Sequence, residues 1–285
     1  MWLLLAVGSA VFAGLTSILA KCGLQNVDST VATAYRTVVA LLFAWTIVLI
    51  AGSYSEIGDI DGDTWMFLIL SGLATGASWL CYFKALQIGN VNKVVPVDKS
   101  SNVLAIVLAV IIIGEVLTPW GIAGAVLILI GTMMMIEKKD VQEVNERSSW
   151  LLFAIGAAVF AALTSILGKI GIEGVDSNLG TAIRTVVVLA MSWTMVLVMR
   201  KQDKVRGIRR KDALFIVLSG LATGASWLCF FGALQTGPAS VIVPIDKLSI
   251  LETIAFSYIV FKETLTKKSA LGLAGIVAGT LLLLL

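Results

Sequence analysis

The stretch LSGLATGASWLC occupies Leu70–Cys81 and returns letter for letter at Leu218–Cys229. The two copies lie 148 residues apart. Sliding the 285-residue chain by that offset pairs residues 1–137 with 149–285 without a gap, and 63 of the 137 pairs are identical. Self-similarity at one fixed offset over such a length marks a repeated structural unit. The chain divides into residues 1–137, a polar linker at 138–149 (KDVQEVNERSS runs through it), and residues 150–285.

Composition says where such units live. The chain is 58% hydrophobic and 14% charged, with a mean hydropathy of +0.97. Soluble domains carry more charge and less apolar surface. Apolar runs of about 20 residues recur, each long enough as a helix to cross a hydrocarbon core of about 30 Å. The first unit has five: Trp2–Ala20, Val31–Ala51, Thr64–Ile88, Val94–Ile113 and Trp120–Ile136. The offset gives five more: Trp150–Gly168, Leu179–Met199, Asp212–Thr236, Ile242–Phe261 and Lys268–Leu284. The expectation is an all-α integral membrane protein of ten transmembrane helices, with the lipid bilayer as a partner and no nucleic acid. The first run is read as a retained helix and not a signal peptide. It lacks a basic leading region, and its twin at Trp150 lies mid-chain.

Several chemistries have no visible apparatus. Histidine is absent, and the three cysteines have neither disulfide nor zinc spacing. No Walker A sequence, GxGxxG, HExxH or GxSxG constellation is present. No enzyme, metal site or cofactor is expected, apart from a coupling proton.

Five crossings per unit is an odd number, so consecutive units enter the bilayer with opposite orientation. That is an inverted repeat, in which a substrate site lies at the repeat interface near the midplane. Charge placement agrees. Ser53–Asp63 (SYSEIGDIDGD) is acidic, and its repeat partner Arg200–Lys211 (RKQDKVRGIRRK) is basic. Of the 21 Lys and Arg, 15 fall in loops on the side of Arg200–Lys211, one (Lys169) on the other side, and five within spans. Positive loops stay cytoplasmic. The count puts Arg200–Lys211 in the cytoplasm and both termini outside, in a multi-pass protein of the cell (inner or plasma) membrane.

The units share an ordered set of motifs. LTSILAK ends the first helix, at Leu15–Lys21 and Leu163–Lys169. An arginine sits early in the second helix (ATAYRTVVA, GTAIRTVVV), and SGLATGASWLC follows in the third. A proline and an Asp-Lys pair open the fourth (VVPVDKSS, IVPIDKLS), and a glutamate precedes the fifth. In order and spacing this pattern resembles the EamA branch of the drug/metabolite transporter superfamily, over nearly the full length of both units. The resemblance implies ten helices as two inverted five-helix repeats around a central cavity. It also implies secondary transport, often export, of metabolites such as amino acids. Single-unit relatives of that family are thought to pair in opposite orientations, and the similarity of the halves here fits a fusion of such a pair. Better-known ten-helix members keep both termini in the cytoplasm, the reverse of what the Lys/Arg count gives here.

Ionisable residues within spans are costly and are read first as functional candidates. Arg36 and Arg184 suit an anionic substrate group; the alternatives are a structural pair with Asp98 or Asp246, or snorkelling toward water. Asp98-Lys99 and Asp246-Lys247 follow Pro96 and Pro244. The Asp is a proton or cation site and the Lys neutralises it or binds an anion, or the four form a cap and ion pair that joins helices. Asp246, Ser249, Thr253 and Ser257 share one helical face, and their counterparts in the first unit are Asp98, Ser101, Ala105 and Ala109. Asn102 joins these candidates. Glu252 replaces Leu104 and Lys84 becomes Gly232, so each unit carries one unmatched charge, and a Lys84–Glu252 contact would pair them. Trp79, Tyr82, Trp227 and Phe230 either wall a cavity or pack, whereas the glycines beside them allow close packing. The glycine-bearing fifth helices stand at the periphery or at a homodimer contact. The first substrate class is a small polar or amphipathic metabolite, and the second a lipid-linked headgroup or cationic drug. A non-transporting scaffold and a channel are the rival readings.

Overall fold

A computed structural model describes residues 1–23, 27–88, 91–135, 149–205, 208–262 and 266–285. Linker residues 138–148, Glu263 and the side chain of Ser257 lie outside that description. The first unit comprises α1 (Trp2–Gly23), α2 (Ser29–Ala51), α3 (Gly62–Ile88), α4 (Val91–Lys99), α5 (Ser101–Leu108) and α6 (Pro119–Met135). The second comprises α7 (Trp150–Gly171), α8 (Ser177–Val198), α9 (Arg210–Thr236), α10 (Ala239–Lys247), α11 (Ser249–Phe261) and α12 (Lys267–Leu282). There is no strand among the described residues, as expected of a chain that must satisfy its backbone polar groups inside lipid. Six helices, α1, α2, α3, α7, α8 and α9, are long and apolar enough to cross a membrane. Their outward faces carry large exposed apolar side chains such as Leu4, Leu42, Ile50, Leu152 and Leu214.

Local chemistry repeats with the sequence. Asp28 caps α2 by accepting a hydrogen bond from the Thr30 N–H at 2.9 Å, and its repeat partner Asp176 caps α8 through the N–H groups of Asn178 and Leu179. The α2 helix ends at Gly52, whose φ of +77° is a left-handed conformation that glycine adopts without steric cost.

The hydropathy predicts one helix over Val94–Ile113 and one over Ile242–Phe261. The structure breaks both. In α10, Pro244 has no N–H for the ladder, and its ring crowds the preceding turn. The chain tightens at Leu248, where Leu248 N–H reaches the Ile245 carbonyl at 2.9 Å and Leu251 N–H reaches Leu248 at 2.8 Å. The first unit breaks at Ser100, whose N–H and hydroxyl both go to the Val97 carbonyl, at 3.2 and 2.6 Å. Past α5 the chain makes one π turn, Ala109–Ile113.

The two units exchange helices. The first helix of each lies along the third helix of the other, α1 on α9 and α7 on α3, while α2 packs on α8 and α6 on α12. Equivalent helices run antiparallel. On α6 and α12, a Cβ at Gly124 would stand 2.5 Å from the Gly279 carbonyl oxygen and one at Gly131 2.5 Å from that of Gly272, so numbers rise along one helix as they fall along the other. The start of α2 meets the end of α8 in the same way: Asp28 accepts from Lys201 and Lys204 at 2.9 and 3.4 Å, while Glu56 accepts from the Asp176 N–H at 3.3 Å. The acidic and basic loops therefore stand at opposite ends of the bundle.

The glycines of the fifth helices face each other inside the chain. Those of SGLATGASW do the same against α8 and α2, where Gly72 sits under Val187 and Gly220 under Val39. Because backbone meets backbone on α6 and α12, Gly124→Val should cost about 1–3 kcal/mol, read as a lower thermal unfolding midpoint in detergent. Gly58→Ala, with nothing within 4 Å of the new methyl group, should stay within about 0.5 kcal/mol of the parent.

Candidate functional site

Hydroxyls stitch the exchanged helices together across the midline. Ser226 Oγ donates to the Ser9 carbonyl at 3.1 Å, and its counterpart Ser78 Oγ to the Ala157 carbonyl at 3.0 Å. Thr16 and Thr223 touch at 3.4 Å, Thr75 and Thr164 at 3.3 Å. Such bonds between membrane helices contribute about 0.6 kcal/mol each. They also fix α3 and α7 as two walls of an open cavity of about 210 Å³, whose remaining lining comes from the α4–α5 break and the end of α10.

Six expected residues meet in that cavity. Trp79 and Tyr82 come from α3, Asp98 and Lys99 from the end of α4, Asn102 from α5, and Lys247 from α10. The helix break at Ser100 is what turns the Asp98-Lys99 pair and the first turn of α5 toward one space. Ser78, Ser101 and Ala161 complete the lining, and none of these three stands out in the sequence from the many small residues around it. Asp98 is neighboured electrostatically by Lys99 and Lys247, and Tyr82 lies close enough to sense it.

Other candidates lie elsewhere. Asp246 sits behind the wall, where Oδ1 accepts from Ser9 Oγ at 2.6 Å and Oδ2 from Lys247 Nζ at 3.2 Å. On α11, Thr253 bonds back to the Ser249 carbonyl at 3.2 Å. Glu252 presses against Gly14 of α1, where an added Cβ would collide with the carboxylate. The expected Lys84–Glu252 pairing is not formed: Lys84 is exposed and makes no ion pair among the described residues. Aromatic lining comes from one unit only. Phe230 packs edge-on to Phe231, with centroids 5.2 Å apart, and Trp227 stands 5.6 Å from the Arg184 guanidinium.

Arg184 contradicts the two structural alternatives, pairing with an aspartate and snorkelling. It is 1% exposed. Its Nε donates to Ser71 Oγ at 3.3 Å and its Nη2 to Thr75 Oγ1 at 2.9 Å, with the Phe231 ring 4.3 Å from Cζ. Hydroxyls and ring faces thus stand in for a carboxylate, and Nη1 has no hydrogen-bond partner among the described residues. Arg36, the repeat partner, lines a separate crevice with Ala20 and Ser219 that is too small for more than a water.

A second cluster lies at one end of the bundle. Glu115 accepts from Lys169 Nζ at 3.0 Å, from the Ala239 N–H at 2.6 Å and from the Ser240 N–H at 2.9 Å, while Lys169 also donates to the Gly237 carbonyl at 2.7 Å. A carboxylate here caps α10 and meets the positive end of its dipole. Burial raises the Glu115 pKa, but the hydrogen bonds from Ser240, Lys169 and Ala239 outweigh it and hold the group below the ordinary glutamate range. The sequence marks Glu115 only as the residue before the fifth helix, since its partners are 54 and more residues away.

With this geometry in place, comparisons with known proteins are informative. The EamA-like transporter family matches residues 1–137 and again 148–285. The chain belongs to the EamA-like transporter family. A relative from a Sinorhizobium species, called an uncharacterized transporter in the cobO 3′ region, is 42% identical over 134 residues. That match covers 47% of this chain but 95% of the relative, so the relative is about one unit long. A solved crystal structure, 18% identical, superposes with a TM-score of 0.79 over 98% of this chain and 94% of that one, a likeness of fold. This EamA-like chain is accordingly a multi-pass membrane transporter.

A depressed carboxylate pKa stabilises the fold above the unfolded value of about 4.3, and that stability is lost as pH falls through the folded value. Glu115→Gln should therefore lower stability by about 1–3 kcal/mol at pH 7. The gap between variant and parent unfolding midpoints should shrink as the pH is brought below 4.

Proposed function

We propose that this chain is a secondary active transporter that crosses the membrane ten times as two inverted five-helix units. It exports a small polar or amphipathic metabolite of amino-acid type by alternating access, with a proton as the coupling ion. In this reading Arg200–Lys211 faces the cytoplasm and both termini face outside, following the Lys/Arg count.

The observation that carries the reading is the cavity between the exchanged helices. It gathers Asp98, Lys99 and Lys247, charges of both signs drawn from both units, beside Trp79 and Tyr82. Charged groups held within a membrane bundle mark substrate and ion paths. A volume of about 210 Å³ lies below the roughly 300–1,000 Å³ of sites for drug-sized ligands, which supports a small metabolite over a drug or lipid headgroup. The broken helices on either side supply the irregular backbone that transporters place against their cargo. Because α1 lies on α9 as α7 lies on α3, interchange of the two packings would give the opposite-facing state without a new fold.

The test is flux in proteoliposomes under an imposed pH gradient, with a mixture of radiolabelled amino acids as probe. Gradient-driven accumulation and counterflow are expected, and Lys99→Ala should raise the half-saturating concentration about tenfold, the value of one charge-assisted contact. Absence of flux would leave a scaffold, and flux without counterflow would indicate a channel.

A further inference from the structure

The repeat makes one comparison very sharp. Around the two Asp-Lys pairs the units agree at Ser78 and Ser226, at Pro96 and Pro244, and at Lys99 and Lys247. They differ at Tyr82 and Phe230, at Asn102 and Ile250, and at one hydrogen bond to the aspartates themselves. Ser9, fully buried, gives its hydroxyl to Asp246 at 2.6 Å; its repeat partner is Ala157, also fully buried, which has no hydroxyl to give Asp98. Asp246 is thereby occupied on both oxygens, by Ser9 and by Lys247. The Asp98 side chain forms no hydrogen bond or ion pair with another described residue and lines the cavity.

We propose that the two repeat-related aspartates divide the work: Asp98 is the carboxylate that receives the cationic group of the cargo, and Asp246 is a positioning residue that holds Lys247 at the cavity wall. Lys247 is neutralised by Asp246 at 3.2 Å, and Lys99 forms no ion pair among the described residues. The cavity therefore offers one carboxylate and one ammonium, Asp98 and Lys99, that sense each other electrostatically but have no hydrogen bond or close ion pair among the described residues. Neighbouring residues on a helix point in different directions, so the two charges need not quench each other and a ligand can bridge them. The chemistry that fits is a zwitterion, its ammonium on Asp98 and its anionic group on Lys99. The groups facing Asp98 are Lys99 from its own helix, Lys247 from α10 and Tyr82 from α3. A hydroxyl-for-methyl difference on α1 and α7 has thus assigned unequal roles to residues that the repeat made equal.

This inference rests on the cavity being the cargo site, and its test works without knowing the cargo. The purified full-length protein in detergent is treated with dicyclohexylcarbodiimide, which modifies accessible carboxyls, and the modified peptides are mapped by mass spectrometry. Asp98 should react at least tenfold faster than Asp246. Ser9→Ala should speed modification of Asp246, and Ala157→Ser should slow that of Asp98. Equal rates in the unaltered protein would overturn the proposal even if neither variant folds; so would an Asp98 rate unchanged within twofold in a folded Ala157→Ser protein. In the flux assay, Asp98→Asn should abolish amino-acid accumulation. Asp246→Asn, which can still accept from Ser9, should raise the half-saturating concentration and leave the maximal rate; equal loss in both would count against the division. Failure of all flux in the unaltered protein would refute the transport reading while leaving the labelling ratio to decide this one.

Discussion

Each unit keeps its first helix on the third helix of the other, and the rest of the structure depends on that exchange. Inside lipid there is no hydrophobic drive between helices, so association comes from close packing and from hydrogen bonds that cross the seam. Here both are written twice. Gly72 and Gly220 let α3 and α9 approach α8 and α2, and Ser78 and Ser226 bond to the backbones of α7 and α1. Neither unit can bury these groups alone.

Near-symmetry then makes the departures informative. The Ser9/Ala157 difference leaves one aspartate engaged and the other facing open space. Gly14, where the partner is Ala162, clears room for Glu252, where the partner is Leu104. Arg184 is sealed among Ser71, Thr75 and Phe231, whereas Arg36 borders a crevice. Two copies of one sequence pattern thus occupy different environments in a single conformation.

Much of this was legible beforehand, for reasons that differ by residue. Six of the spans follow from runs of apolar residues, and the antiparallel relation of the units from the opposite charge of Ser53–Asp63 and Arg200–Lys211. Asp98, Lys99 and Lys247 were found because a charge in an apolar run announces itself. The proline positions hinted at a break, but not that Ser100 and Leu248 would split the fourth segments. What stayed hidden was non-local. Nothing near Glu115 in sequence points to Lys169 or to the start of α10, and Ser9 is one small residue in a helix full of them. Arg184 was expected to seek a carboxylate and found hydroxyls and an aromatic face, a solution that depends on which helix packs behind it.

The exchange itself can be tested by disulfide trapping. In a chain whose Cys22, Cys81 and Cys229 are replaced by serine and which carries a protease site within 138–149, the pairs Thr16→Cys with Thr223→Cys and Thr75→Cys with Thr164→Cys place thiols where the parent hydroxyls stand 3.4 and 3.3 Å apart. After oxidation and cleavage, both pairs should hold the two halves together on a non-reducing gel, and Thr16→Cys with Thr164→Cys should let them part. Halves joined by that last pair, or released by the first two, would contradict the exchanged, antiparallel arrangement.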